Sequence, residues 1–271
     1  MSADLRPTLT PFPAREARNG LLDRYRQHAA IVRRNLMKVA GDPGQLLDAT
    51  VMPLVLSVAF VFVLGGAIAG DSTRYAQFFI PGMVALNLTI MSRSTGIALA
   101  VDFASGVVDR FRAMPIASLT VLTGRVISDA LRMLLSVLVI LGFGFAIGFR
   151  ISAGPLATVV ALALFLGYGI ALCWISALIG IAARGMQTAQ NLTMLWMVPV
   201  QFASSVFVPS ATMPTWLRAV AEVNPMTVIV DATRGLLTTG TYGWPVVGSL
   251  AWILVLTAVF ATLSVRRYRR R

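Results

Sequence analysis

Long apolar runs separated by short polar breaks make up most of this chain. Six of them cover residues 46–68, 75–101, 119–148, 154–183, 188–208 and 243–265. A helix rising ~1.5 Å per residue needs ~20 residues to cross a ~30 Å hydrocarbon core, and each run meets that length. The runs are continuous and do not alternate like the ten-residue strands of a barrel, so they predict spanning helices. Ahead of them, Leu21, Tyr25, Ala29, Val32, Leu36 and Val39 recur at three- and four-residue spacing, with Arg24, Arg26, Arg33, Arg34 and Lys38 on the other faces. This stripe predicts an amphipathic helix over 20–40 lying in the membrane interface. The GDPG turn at 41–44 then leads into the first span. Residues 1–19, with three prolines, read as a disordered tail. Residues 46–265 form one six-span domain, and 266–271 form a basic tail. The expected fold is an all-α membrane protein.

Two polar stretches interrupt the apolar pattern. Between spans 2 and 3, DFASGVVDRFRAMP (102–115) places Val107, Val108, Phe111 and Met114 on one helical face. Pro115 ends the helix, because the residue before a proline is pushed out of the helical region. This island reads either as a docking element or as a simple interfacial turn. Between spans 5 and 6, prolines 209, 214 and 225 divide a long segment into short pieces. TWLRAVAEV predicts one short helix and MTVIVDATRGLL another. The second is too short to span and too apolar for water, so it is expected to re-enter the outer leaflet.

Charge then fixes the orientation. The chain has 57% hydrophobic and 13% charged residues, too little polar surface for a soluble domain of 271 residues. Its net charge of +12 could point to nucleic acid, but the arginines fall before span 1, around the 2–3 connection, at Arg184 and after span 6. The other side carries only Arg74, Arg150, Arg218 and Arg234. The positive-inside rule puts both termini in the cytoplasm, as an even span count requires, and leaves no role for nucleic acid. The tail RRYRRR reads as a topology anchor or as a contact for anionic lipid. No cleavable leader is evident in the arginine-rich start.

Enzymatic chemistry is missing from the pattern. Lys38 is the single lysine and no GxxxxGK[ST] surrounds it, so the phosphate-cradling loop of a nucleotide hydrolase is lacking. One histidine (His28) and one cysteine (Cys173) cannot build a metal site or a Cys–His pair. The residues that stand out are polar groups inside spans, which are costly there. Asp129 and Arg132, and Asp231 and Arg234, are spaced i, i+3 and can pair. Asp129–Arg132 reads as a structural pair or as the lining of a cavity. Asn87, Arg93, Gln190, Asn191, Gln201, Ser204 and Ser205 are candidates to line a pathway.

Three segments together resemble a known family. They are RRNLMKVAGDPGQLLDATVMPLVLSVAFVFVLGG (33–66), GVVDRFRAMPIASLTVLTGRVISD (106–129) and SSVFVPSATMPTWLRAVAEVNPMTVIVDATRGL (204–236). The sequence is similar to permease subunits of ABC type-2 exporters, in particular their daunorubicin-resistance branch. The resemblance implies a subunit of the bacterial plasma membrane that pairs with a second six-span permease, identical or paralogous. It also implies two separate ATPase subunits, which would hold the ATP and magnesium, and no cofactor on this chain. Gly106, Asp109, Arg110, Phe111, Arg112 and Pro115 would belong to a coupling helix seated on the ATPase. Leu21, Tyr25, Arg33, Arg34 and Leu36 would belong to a connecting helix. Family substrates are amphipathic drugs, polyketides, complex lipids and lipid-linked polysaccharides. The drug or lipid reading is set against a polysaccharide exporter and against a non-transporting membrane anchor.

Overall fold

The computed structural model describes residues 51, 53–65, 70–106 and 118–270. The expected interfacial helix over 20–40 and residues 107–117 lie outside them. Asp109, Arg110, Phe111, Arg112 and Pro115 therefore lie outside as well, as do Leu21, Tyr25, Arg33, Arg34 and Leu36.

Among the described residues every regular element is a helix and none is a strand. In chain order the helices are α1 (Pro53–Val63), α2 (Ser72–Ala104), α3 (Ser118–Ala146), α4 (Pro155–Ala182), α5 (Met186–Phe202), α6 (Thr215–Val223), α7 (Pro225–Thr238) and α8 (Trp244–Arg270). A π-helix over Phe60–Leu64 takes in the last turn of α1 and the residue after it. Among the described residues, four helices (α2, α3, α4 and α8) are long and apolar enough to cross a membrane.

Local chemistry sets the helix ends. Asp71 caps α2, its carboxylate accepting from the Thr73 and Arg74 amides at 3.1 and 3.3 Å. Pro155 and Pro225 open α4 and α7 in the first turn, where no amide hydrogen is missed. α2 stops at Gly106, whose φ of +68° is a left-handed conformation that a side chain would disfavour. Gly106 thus lies in the turn that closes α2.

The 188–208 run is shorter as a helix than its apolarity predicts. α5 ends at Phe202 after 17 residues, about 26 Å. Residues 203–208 are bent instead. The Asn224 amide donates to the Val200 and Ala203 carbonyls at 2.8 and 2.7 Å, satisfying groups released at that end.

α2 and α4 form the centre of the bundle. Their backbones touch at Gly96 and Gly180. A Cβ on Gly96 would sit 2.4 Å from the Ser176 carbonyl oxygen, and one on Gly180 would sit 2.1 Å from that of Gly96. Lipid is as apolar as leucine, so close packing through small residues replaces the hydrophobic drive between such helices. α3 packs on both central helices, α5 mainly on α2, and α8 on α4. α7 fills the space among α2, α4 and α8, burying Met226, Ile229, Val230, Leu236 and Leu237. The apolarity of that segment is met by protein on most faces.

The helices run up and down between two ends. At one, Ser152 donates to the Leu237 carbonyl at 3.1 Å, and Tyr75 Oη donates to that of Phe207 at 3.2 Å. Exposed Trp216, Tyr242 and Trp244 also lie in the segments of this end, in the manner of an interfacial belt. At the other, Phe103 meets Tyr268 edge to face with centroids 5.5 Å apart. The segments that the arginine pattern assigns outside thus gather at the first end. Leu135, Leu138, Leu250, Leu254 and Val259 face outward along α3 and α8, as lipid-facing positions would.

Candidate functional site

A buried polar network, a half-buried one and exposed apolar side chains on α1 and α5 hold the chemistry of the bundle. The first network joins α2 and α3 around Asp129. Arg125 Nε and Arg132 Nη2 each lie 3.1 Å from one of its carboxylate oxygens, spaced i, i+4 and i, i+3 on the same helix. Thr95 Oγ1 donates to Asp129 Oδ2 at 2.6 Å, and Arg132 Nη2 also reaches Ser94 Oγ. Asp129 and Arg132 are both buried, so each needs the other: a charge without a partner there is expensive. Arg132 Nε nonetheless has no hydrogen-bond partner among the described residues. Cys173 is buried beside this cluster, accepting from Thr95 at 3.4 Å. Small polar contacts continue toward the opposite end, with Asn87 Nδ2 donating to Ser136 Oγ at 2.7 Å and Thr89 Oγ1 lying 3.1 Å from Tyr168 Oη.

The second network closes the end where α5 breaks. Arg234 Nη1 donates to Asp231 Oδ1 at 2.7 Å, Nε to the Phe78 carbonyl at 3.1 Å and Nη2 to the Ser205 carbonyl at 3.2 Å. Its guanidinium also stacks 3.8 Å from the centre of the Phe78 ring. Ser205 Oγ donates to the same Asp231 oxygen at 2.9 Å, and Ser205 N to Thr227 Oγ1 at 3.1 Å. Burial lowers the Arg234 pKa to about 10 while Asp231 opposes the shift, so the guanidinium stays charged at neutral pH. One side chain thereby ties α7 to α2 and to the bend after α5. Beyond it, Asp231 faces a groove of about 510 Å³ shared with Glu222, Thr227, Trp244 and Trp252.

Exposed apolar side chains lie on α1 (Val55, Val58 and Phe62) and on α5 (Leu192, Leu195 and Phe202). At one end Phe60, buried Phe79, Phe202 and Phe207 cluster, with ring centroids 5.2 to 6.2 Å apart. The candidate pathway residues do not form one lining. Asn87 is buried in the α2–α3 contact. Arg93 is half-buried and makes no ion pair with another described residue. Gln190 is half-buried, and exposed Asn191 accepts from Gln187 at 3.1 Å. Gln201, Ser204 and Ser205 do meet, at the α5 bend. Ser204 Oγ donates to the Gln201 carbonyl at 2.6 Å, and Gln201 Nε2 is buried without a partner among the described residues.

Comparison with known proteins places this arrangement. The family model for the ABC-2 type transporter matches residues 26–238, most of the chain. The chain belongs to that family. It is 34% identical over 239 residues to the daunorubicin resistance ABC transporter permease protein DrrB1 of Streptomyces coeruleorubidus, covering 88% of this chain and 84% of the relative. It is 28% identical over 245 residues to the probable doxorubicin resistance ABC transporter permease protein DrrC of Mycobacterium tuberculosis, covering 88% and 86%. To the probable multidrug ABC transporter permease YbhR of Escherichia coli it is 24% identical over 200 residues, covering 73% and 53%. This ABC-2 protein is a multi-pass membrane protein.

Sequence reasoning missed several members of the two networks. Arg125 counted only as a flank of the 2–3 connection, although its i, i+4 spacing to Asp129 was a readable signal. Thr95, Ser94, Asn224 and Thr227 gave none. They are neutral residues whose partners lie 21 to 38 positions away.

Proposed function

We propose that this chain is the permease subunit of an ATP-driven exporter that moves amphipathic drugs, polyketides or complex lipids out of the cytoplasm or inner leaflet. The observation that carries the reading is the family match over 26–238 in a sequence that lacks a phosphate-cradling loop. The energy must then enter through other subunits. Two ATPase subunits would hold ATP and magnesium, and a second permease would complete the pathway. The exposed apolar side chains of α1 and α5 support that pairing. Phe62 and Phe202 offer flat apolar contact to a partner helix or to the rings of an amphipathic drug. The two polar networks act as scaffold, holding α3 and α7 on the central pair while these side chains stay free.

In this reading the chain crosses the plasma membrane six times with both termini in the cytoplasm. The apolar runs over 46–68 and 188–208, which contain α1 and most of α5, supply the crossings beyond the four long helices. α6 and α7 sit as short re-entrant helices that close the outer end. Residues 106–115 dock on the ATPase, and Phe111 is their apolar anchor.

Buried aromatic anchors of protein interfaces often cost ~2 kcal/mol or more on truncation. Phe111→Asp is therefore expected to lower recovery of the ATPase with the tagged chain at least tenfold, with normal amounts of permease in the membrane. Recovery at wild-type levels would remove the docking role from this segment.

A further inference from the structure

Beyond transport itself, we propose that the basic end of α4 and α8 is a binding site for an anionic phospholipid. A cavity of about 750 Å³ lies between these helices, lined by Leu178, Ala182 and Leu263 together with Arg184, Arg266, Arg267 and Arg270. The four arginines come from two places in the sequence, the α4–α5 connection and the last turns of α8. They share one mouth, and none makes an ion pair with another described residue.

Both walls of the cavity are fixed. Ser264 Oγ donates to the Trp174 carbonyl at 3.2 Å, and fully buried Tyr268 rests on Phe103. The helices that carry the arginines are thus packed in place on either side of this space.

Charge selects the class of ligand, and the apolar wall selects its source. Guanidinium groups match phosphate oxygens through paired N–H donors. Basic pockets between spanning helices suit anionic headgroups. Leu263 continues upward into Val259 on the exposed face of α8, a track for an acyl chain at the height where the headgroup meets the arginines. A free phosphate would use only the arginines, and an acidic protein surface would leave the track empty. A phospholipid uses both.

The test is native mass spectrometry of the purified full chain, offered phosphatidylglycerol and phosphatidylcholine with identical acyl chains. The wild type is expected to retain phosphatidylglycerol preferentially. Arg184→Gln with Arg266→Gln removes two cations and should reduce that preference about thirtyfold. Arg184→Lys with Arg266→Lys keeps the charge and should retain most of it, and Arg218→Gln at the other end should change nothing. Equal retention of the two lipids by the wild type would reduce the arginines to a topology anchor and overturn the site. So would an unchanged preference in the Gln pair, or equal losses in the Gln and Lys pairs. Release of the bound lipid by millimolar inorganic phosphate would reassign the cavity to small anions. Loss of ATPase recovery in the Gln pair, with lipid preference intact, would reassign it to the protein partner.

Discussion

Asp129 is where a single atom group decides most. It is the carboxylate that faces both Arg125 and Arg132, inside a contact between two helices. Removing one partner of a buried charge pair typically costs ~3–5 kcal/mol, because the remaining charge keeps its desolvation penalty. Asp129→Asn is thus expected to lower stability by about that amount, read as denaturation of the purified chain in detergent. Thr95→Val loses one hydrogen bond to a charged group and should cost less, ~1.5–3 kcal/mol. An Asp129→Asn chain as stable as the wild type would mean that water already solvates this cluster, and a cavity would replace the structural pair. Spacing alone announced Asp129–Arg132 and Asp231–Arg234, since i, i+3 positions share a helix face. It could not announce Thr95 or Ser205, whose carboxylate partners sit 34 and 26 residues away. A neutral hydroxyl in an apolar run gives no sign of what it faces.

Among the elements, the α2–α4 pair sets the geometry that the others follow. Gly96→Ala or Gly180→Ala would drive a methyl into backbone on the facing helix, which can only yield by moving the helices apart. Overpacking of this kind costs ~1–3 kcal/mol. Gly142→Ala on α3 meets nothing within 4 Å, so it should be neutral or gain up to ~1 kcal/mol from helix propensity. Equal effects at the three positions, measured by the same denaturation, would contradict close contact between α2 and α4. The long helices were legible from apolar run length, and α6 and α7 from the prolines before them. The early end of α5 was not. Ala203, Val206, Phe207 and Val208 carry the apolar run past it. Hydropathy reports the preference for a medium and not the hydrogen-bond partner, here the Asn224 amide, that lets the backbone leave the helix.

For the whole molecule, topology and energy supply are separate questions. In a Cys173→Ser background, Tyr242→Cys should react with an impermeant thiol reagent added outside intact cells. Gln187→Cys should react only after the membrane is opened. Both side chains are exposed, so burial does not confuse the result. Ile229 is fully buried by protein and would stay unreactive in any topology. Reaction of Tyr242→Cys from the cytoplasm alone would invert the account of the loops. The central claim is that this chain moves substrate but does not power the movement. Its most direct test is uptake of an amphipathic fluorescent drug into inside-out proteoliposomes holding the chain with or without its co-purified ATPase. Uptake is predicted only when ATPase and ATP are both present, with no ATP hydrolysis by the chain alone. ATP hydrolysis by the isolated chain, or uptake undiminished when the ATPase is left out, would contradict it.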